Sequence, residues 1–177
     1  MKKNILILIL LSFFSIVQTT YAYKEEDLQK LLNEKSCTEG TFSSCDLQDA
    51  VIKDVDLTGA DLEGANLRNA VMENVNLTDA TLNETILVGT KLYLVQFSNA
   101  SLQDADLTSA KMTFCDFSGA ELSDANLKGA SLKGVKFNGS NLSNINVDGV
   151  DFKYTDLSGA NNFDGKTCGE MSFGTCK

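Results

Sequence analysis

The residues of this 177-residue chain that could do chemistry are five cysteines and 24 carboxylates, and the chain has no histidine. Histidine is the commonest general base and metal ligand, so its absence excludes Ser-His-Asp and Cys-His catalytic sites. The GxxxxGK[ST] and GxGxxG phosphate-binding patterns are also absent, and the cysteines are not spaced as a zinc site. We therefore predict that the protein is not an enzyme, with no catalytic residues, no cofactor and no metal ion.

Four of the cysteines form two pairs with the same spacing. Cys37 and Cys45 lie eight residues apart near one end of the chain, and Cys168 and Cys176 lie eight apart near the other. This spacing predicts two local disulfide bonds, each stabilising one end by about 2–3 kcal/mol. Free thiols that fill small interior sites are the alternative. We expect Cys115, in the middle of the chain, to be a buried and unreactive thiol.

The first 22 residues are typical of an export signal. Two lysines precede an apolar stretch from Ile5 to Val17, and small residues stand at the cleavage positions before Tyr23. A membrane anchor is the alternative, but these 13 residues are fewer than the roughly 20 that a spanning helix needs. We predict a cleaved, periplasmic or secreted protein with no membrane span after cleavage.

The charge of the mature chain limits its partners. Removal of residues 1–22 leaves 13 basic and 24 acidic residues, a net charge of −11. Such a surface repels nucleic acid and anionic membranes, so we expect no direct nucleic-acid binding. The acidity could attract basic partners or cations, or it could only keep an elongated particle in solution.

A repeat of five residues must position all of these groups. From Phe42 to Leu157 every fifth residue is apolar, over 24 positions, and the residue two places earlier is small or β-branched, with Ile145 the only large exception. A period of five fits neither the 3.6 of a helix nor the 2 of a strand, so the chain must turn a corner every five residues. Nine of the 13 glycines fall at these corners, where a positive φ favours glycine.

A second period of 20 residues shows how many corners close one coil. One column of small positions holds residues larger than alanine, whereas the next column holds mostly alanine. Residues 20 apart are therefore stacked neighbours, and each coil has four sides. The 24 repeats make six coils, about 29 Å tall at a strand spacing of about 4.8 Å. The two columns are Val55, Val75, Val95, Cys115, Val135 and Thr155, and then Ala60, Ala80, Ala100, Ala120, Ser140 and Ala160.

The segments ADLEGANLRNA, ADLTSA and ANLKGASLKG resemble the pentapeptide-repeat family and its A(D/N)LxX consensus. The resemblance covers residues 40–160 and implies an all-β fold, a right-handed quadrilateral β-helix, with no catalytic residues to transfer. Family members that protect or inhibit DNA gyrase are similar in shape and acidity, which implies an acidic DNA mimic as an alternative function. An export signal would separate the chain from a cytoplasmic gyrase.

Both ends of the stacked core need covers. We expect residues 23–39 to form an N-terminal cap with a short helix, because Leu28, Leu31 and Leu32 share one helical face. Residues 40–160 are then the β-helix and residues 161–177 a C-terminal cap that departs from the repeat. Two capped ends favour a monomer.

Two surface features stand out from the repeat. Leu94 and Phe114 occupy stacked corners that usually hold Gly, Asn or Asp, Tyr93 lies beside them, and Tyr154 follows two coils later. We predict that these four residues form a contact patch for an unknown protein or envelope component, unless a bulge covers them. The second feature is an acidic ladder, whose repulsion a divalent cation or simple solvation would relieve. The ladder residues are Glu84, Asp104 and Asp124.

Overall fold

The computed structural model describes residues 25–37 and 45–161, which contain one helix and five strands. The strands form one parallel sheet in the order β1-β2-β3-β4-β5. Each strand residue pairs with the residue 20 positions further on, as Ile52 does with Met72. The predicted coil of 20 residues is therefore confirmed. The elements are α1 (Glu25–Glu34), β1 (Val51–Lys53), β2 (Val71–Glu73), β3 (Lys91–Tyr93), β4 (Lys111–Thr113) and β5 (Ser131–Lys133).

The other three sides of the coils are held by single-residue parallel bridges with the same spacing of 20, except the N-terminal bridge from Ser36 to Asp61. Four full turns separate β1 from β5, and a bridge from Ser131 to Asp151 adds a sixth level to the strand-bearing side. We call this side, β1 to β5 with residues 151–153, the sheet side. The molecule is a four-sided parallel β-helix with one short N-terminal helix, as the sequence predicted.

The corners between the sides all use positive φ angles, from Asp49 to Gly159. At most corners outside the column of Leu94 and Phe114, the amide after the turn donates to the carbonyl of the central apolar residue, as Ala60 N does to Leu57 O at 3.0 Å. Gly, Asn and Asp tolerate this left-handed conformation best, which explains their frequency at the corners.

The interior is filled by the central apolar residues and the small residues that precede them. Phe97, Phe117 and Phe137 form a continuous stack, with ring centroids 4.5 Å and 5.1 Å apart and rings nearly parallel. Most buried hydroxyls donate to the carbonyl three residues earlier, as Thr90 does to Leu87 at 2.8 Å. Stacking like residues on like residues therefore gives a closely packed core.

Helix α1 covers the first coil. Leu28 and Leu31 are buried against the core, and Leu32 packs partly against it. The carboxylate of Asp27 accepts a hydrogen bond of 2.8 Å from the backbone amide of Asp46. This bond satisfies a donor that a preceding coil would otherwise satisfy, so the predicted N-terminal cap works by polar as well as apolar contacts.

The cysteine predictions are confirmed where the structure describes the residues. Cys37 and Cys45 form a disulfide with their Cα atoms 5.0 Å apart, and Cys115 is a free, buried thiol. The predicted Cys168–Cys176 bond, the C-terminal cap and the export signal lie outside the described residues. The one helix of residues 25–37 and 45–161 is too short and too polar to cross a membrane.

Candidate functional site

The predicted contact patch lies along one corner of the sheet side. Tyr93, Leu94, Phe114 and Tyr154 are 44%, 40%, 49% and 72% exposed. Together with Val51 they are all of the large apolar side chains that are exposed within the described part of the chain. We call these four residues the corner patch.

The rings of Tyr93 and Phe114 meet edge to face, with centroids 6.3 Å apart. Gly134 occupies the next corner in the same column, and a Cβ atom there would lie 2.6 Å from Cδ1 of Phe114. Because Gly134 has no side chain, the Phe114 ring can occupy the space over this corner. Tyr154 lies one coil beyond Gly134, with the Lys153 ammonium 5.0 Å from its ring centroid.

No bulge covers the corner patch. β3 and β4 remain in register around it, with Leu92 opposite Met112. The backbone amides of Leu94 and Phe114 donate to the carbonyls of the next coil at 3.1 Å and 2.8 Å, in the same way as the amide of Asn74. The bulge alternative is wrong, because these bulky side chains stand on a regular corner.

The corner backbone is unfavourable for these residue types. Leu94 and Phe114 both have φ of 54°, and Tyr154 has φ of 67°. The left-handed region costs an L-residue roughly 1–2 kcal/mol, and a bulky residue there is an outlier. Stability of the coil alone does not explain the choice of side chain.

Sequence reasoning missed a group of lysines beside the corner patch. Residues 45–161 contain eight basic and 17 acidic side chains. Five of the eight basic residues occupy outward positions of the sheet side, where the only carboxylates are Glu73 and Asp151. The columns were visible in the sequence, but the net charge of the whole chain concealed them. We call these five residues the lysine face: Lys53, Lys91, Lys111, Lys133 and Lys153.

Most of the lysine face lacks a partner of opposite charge. Lys53 bonds to Glu73 at 2.6 Å, and this hydrogen bond, followed by the charge of Glu73, raises the pKa of Lys53. Lys91, Lys111 and Lys133 form no ion pair with any residue of 25–37 or 45–161. The sheet side thus carries uncompensated positive charge on an otherwise acidic rod.

A shallow depression of about 300 Å³ opens on the sheet side over β2, β3 and β4. Its polar wall includes two lysines that stand opposite each other in adjacent strands, and its apolar wall includes the ring of Tyr93. The depression therefore joins the lysine face to the corner patch. Its lining residues are Val71, Met72, Glu73, Lys91, Leu92, Tyr93, Lys111 and Thr113.

The remaining candidate groups are inert or dispersed. The Cys115 thiol donates to the carbonyl oxygens of Leu92 and Thr113 at 3.6 Å and 3.7 Å. Burial raises the pKa of Cys115 to about 11, so the thiolate needed for nucleophilic attack does not form near neutral pH. Glu84, Asp104 and Asp124 lie at stacked corners, but no group of three possible metal-ligating side chains occurs in the described part of the chain.

This geometry defines a class: a four-sided solenoid of five-residue repeats that presents side chains in fixed columns. Two family models match the sequence. One is a pentapeptide repeat region at residues 67–137, and the other is pentapeptide repeats at residues 36–69 and 130–161. The chain belongs to the pentapeptide repeat family.

One solved structure, Rfr23, is similar in fold, and two others align with part of the chain at lower TM-scores. Rfr23 from the cyanobacterium Cyanothece 51142 shares 22% identity with a TM-score of 0.53, covering 75% of this chain and 98% of its own. A pentapeptide repeat protein of the Arabidopsis thaliana thylakoid lumen shares 26% identity with a TM-score of 0.27, covering 62% and 69%. HetL from Nostoc sp. strain PCC 7120, involved in heterocyst differentiation regulation, shares 23% with a TM-score of 0.23, covering 71% and 78%. No curated protein sequence matches this chain.

Proposed function

We propose that this protein is an exported, non-enzymatic structural and protein-interaction module, and that the corner patch is its contact surface. The partner is a protein or an envelope component. The observation that carries the proposal is the placement of exposed Leu94, Phe114 and Tyr154 on corners with positive φ. Backbone strain that the fold does not require is concentrated at functional sites.

The surroundings of the patch support this role. Phe114 is held by the edge contact with Tyr93 and by the space over Gly134, so its ring is ordered before a partner arrives. An ordered aromatic side chain loses little entropy on binding, which is why aromatic residues dominate interface energetics. The rod supplies a rigid base, because the corners at Leu94 and Phe114 are tied by backbone hydrogen bonds to the coils on both sides.

The alternative function, an acidic DNA mimic that inhibits an enzyme such as DNA gyrase, has less support. A mimic of duplex DNA must present negative charge, and this requirement suits the three acidic sides. The lysine face interrupts that charge with five ammonium groups on one side. We therefore favour the interaction module and keep topoisomerase inhibition as the discriminating assay.

Export is tested by the intact mass of the protein from fractionated host cells, with and without reduction. We expect a periplasmic or extracellular species that begins at Tyr23 and gains four protons on reduction, because the Cys37–Cys45 bond and a second bond both open. A cytoplasmic species that begins at Met1 with five free thiols would overturn the export proposal. Inhibition of a topoisomerase by that species would support the mimic.

Contact through the corner patch is tested by photo-crosslinking in the host. A photoreactive phenylalanine analogue at position 114 should trap a discrete partner, whereas the same analogue at Asn99 should not. Asn99 is a suitable control because it occupies another corner with nearly the same φ of 57°. Replacement Leu94→Asn should remove the crosslink from position 114. Equal crosslinking from both positions would contradict a specific patch.

A further inference from the structure

We propose that the lysine face and the depression beside Tyr93 bind an acidic segment of a polypeptide that also carries apolar side chains. This inference rests on the proposed function, since it names the chemistry of the partner that the corner patch contacts. It differs from the basic partners or cations that the net charge of the whole chain could attract.

The first argument is the uneven distribution of charge. The sheet side carries five lysines and two carboxylates at its outward positions, while 15 carboxylates lie elsewhere in residues 45–161. A local region of one sign accelerates encounter with an oppositely charged partner and orients it. An acidic partner is repelled by the other three sides and attracted by this one, so the charge pattern selects a single docking side.

The second argument is the repulsion built into the depression. Lys91 and Lys111 stand directly opposite in β3 and β4, about 4.8 Å apart along the rod. Like charges in this cross-strand arrangement are destabilising, and neither lysine has an ion pair among the described residues. A carboxylate placed between them would remove that repulsion and form two charge-assisted hydrogen bonds.

The third argument concerns the kind of anion. The depression has an apolar wall at Tyr93 and continues to Leu94 and Phe114, so its occupant must offer carboxylates and apolar groups together. A polypeptide supplies both on neighbouring residues, whereas a charged polysaccharide lacks apolar side chains. A flat anionic membrane would meet the lysines but leave the depression unfilled.

A second copy of this chain fits less well. Its acidic sides could meet the lysines, but the large exposed apolar residues described in the structure all lie on the sheet side or its corner. Two rods joined through opposite charge would therefore leave the corner patch without an apolar partner. The observations favour a segment of another polypeptide.

The test uses the full chain and a labelled nine-residue peptide in which glutamate alternates with leucine and tyrosine. Fluorescence anisotropy at low salt should show saturable binding. Replacing all glutamates of the peptide by glutamine should weaken binding about tenfold or more, as expected when several ion pairs are lost. Raising the salt concentration should also weaken it, because exposed charges are screened.

Two triple variants locate the site. Lys91→Gln/Lys111→Gln/Lys133→Gln should weaken peptide binding about tenfold. Arg68→Gln/Lys128→Gln/Lys136→Gln makes the same change in net charge on other sides and should have a clearly smaller effect. Equal losses in the two variants, or no binding by the unaltered chain, would overturn the proposal. Thermal unfolding of both variants checks that the coil remains intact.

Competing occupants give different results. Binding to phosphatidylglycerol vesicles that the first triple variant abolishes, with no peptide binding, would assign the face to a membrane. Concentration-dependent association in sedimentation that the same variant abolishes would assign it to a second copy. If crosslinking from position 114 persists in the first triple variant while the peptide fails to bind, the proposed function stands and this inference fails.

Discussion

Phe114 and Phe117 are three positions apart in the chain but belong to opposite environments. Phe117 is fully buried between Phe97 and Phe137, with ring centroids 4.5 Å and 5.1 Å away. Phe114 is half exposed on a corner with φ of 54° and touches Tyr93 at its edge. The interior residue is explained by the fold, whereas the corner residue is not.

This difference separates two kinds of column in the solenoid. Interior columns repeat like residues because each side chain packs on its equals above and below. The corner column of Phe114 changes residue type from coil to coil, passing through Asn74, Leu94, Gly134 and Tyr154. The departure of this column from the residues that its backbone favours is the reason why we propose it as a contact surface.

The largest expected effect is in the interior. Phe117→Ala should lower the free energy of unfolding by about 3–5 kcal/mol, because it removes a stacked ring and leaves a cavity. Urea denaturation followed by circular dichroism measures this change. Phe114→Ala is the matched variant and should lose less than about 1 kcal/mol. Similar losses at both positions would break the distinction between interior and corner.

Cys115 lies between the two phenylalanines in the chain and faces inward, so the interior position should also affect how the free energy of unfolding depends on pH. Burial raises the pKa of its thiol from an ordinary value of 9.0 to about 11. The unfolded chain releases this proton first, so stability should fall by about 1.4 kcal/mol per pH unit between pH 9 and 11. Unfolding should be measured across this range in the original chain and in Cys115→Val, which matches Val95 and Val135. Identical slopes would show that the thiol does not contribute.

Gly134 tests whether Phe114 truly occupies the space over the next corner. Gly134→Ala combines a φ of 64° with a contact of 2.6 Å to the Phe114 ring, whereas Gly139→Ala has a φ of 66° and open space. Each should lose about 1 kcal/mol from the backbone conformation. We expect an additional loss at Gly134 that disappears when Phe114→Asn is also present. A double-mutant cycle on urea unfolding measures this coupling, and zero coupling would contradict the contact.

The smallest effect on stability is expected at Phe114 itself. Phe114→Asn should change the free energy of unfolding by less than about 1 kcal/mol, because asparagine tolerates positive φ and only the edge contact with Tyr93 is lost. The same substitution should abolish capture of the partner through a crosslinker placed at Tyr93. A large loss of stability with unchanged capture would reverse the roles that we assign to the two columns.

Much of the fold followed from the sequence. The apolar position in every fifth residue predicted the corners, and the contrast between the columns of Val55 and Ala60 predicted four sides. The leucines of α1 predicted the N-terminal helix, and the spacing of Cys37 and Cys45 predicted their disulfide bond. These predictions succeeded because each depends on neighbours along the chain or on a strict repeat, which a sequence records directly.

The candidate site was only partly visible. The corner patch was predicted from the bulky residues at two corners that usually hold Gly, Asn or Asp. The hydrogen bond from Asp46 to Asp27 and the space over Gly134 were not predicted. The lysine face escaped notice because its members are spread over five coils among a larger number of carboxylates. The Asp46–Asp27 bond and the contact over Gly134 depend on side-chain directions that the repeat alone does not specify.

The sequence by itself determined the length of the coil, the division into interior and corner positions, and the residues that fill the core. Only the tertiary structure decided how Phe114 rests beside Tyr93 and where a depression opens on the side that carries Lys91 and Lys111. The physical reason is that burial imposes the same requirement on every coil, and so leaves a periodic record. Exposed side chains obey no such requirement and acquire their neighbours only when the coils stack.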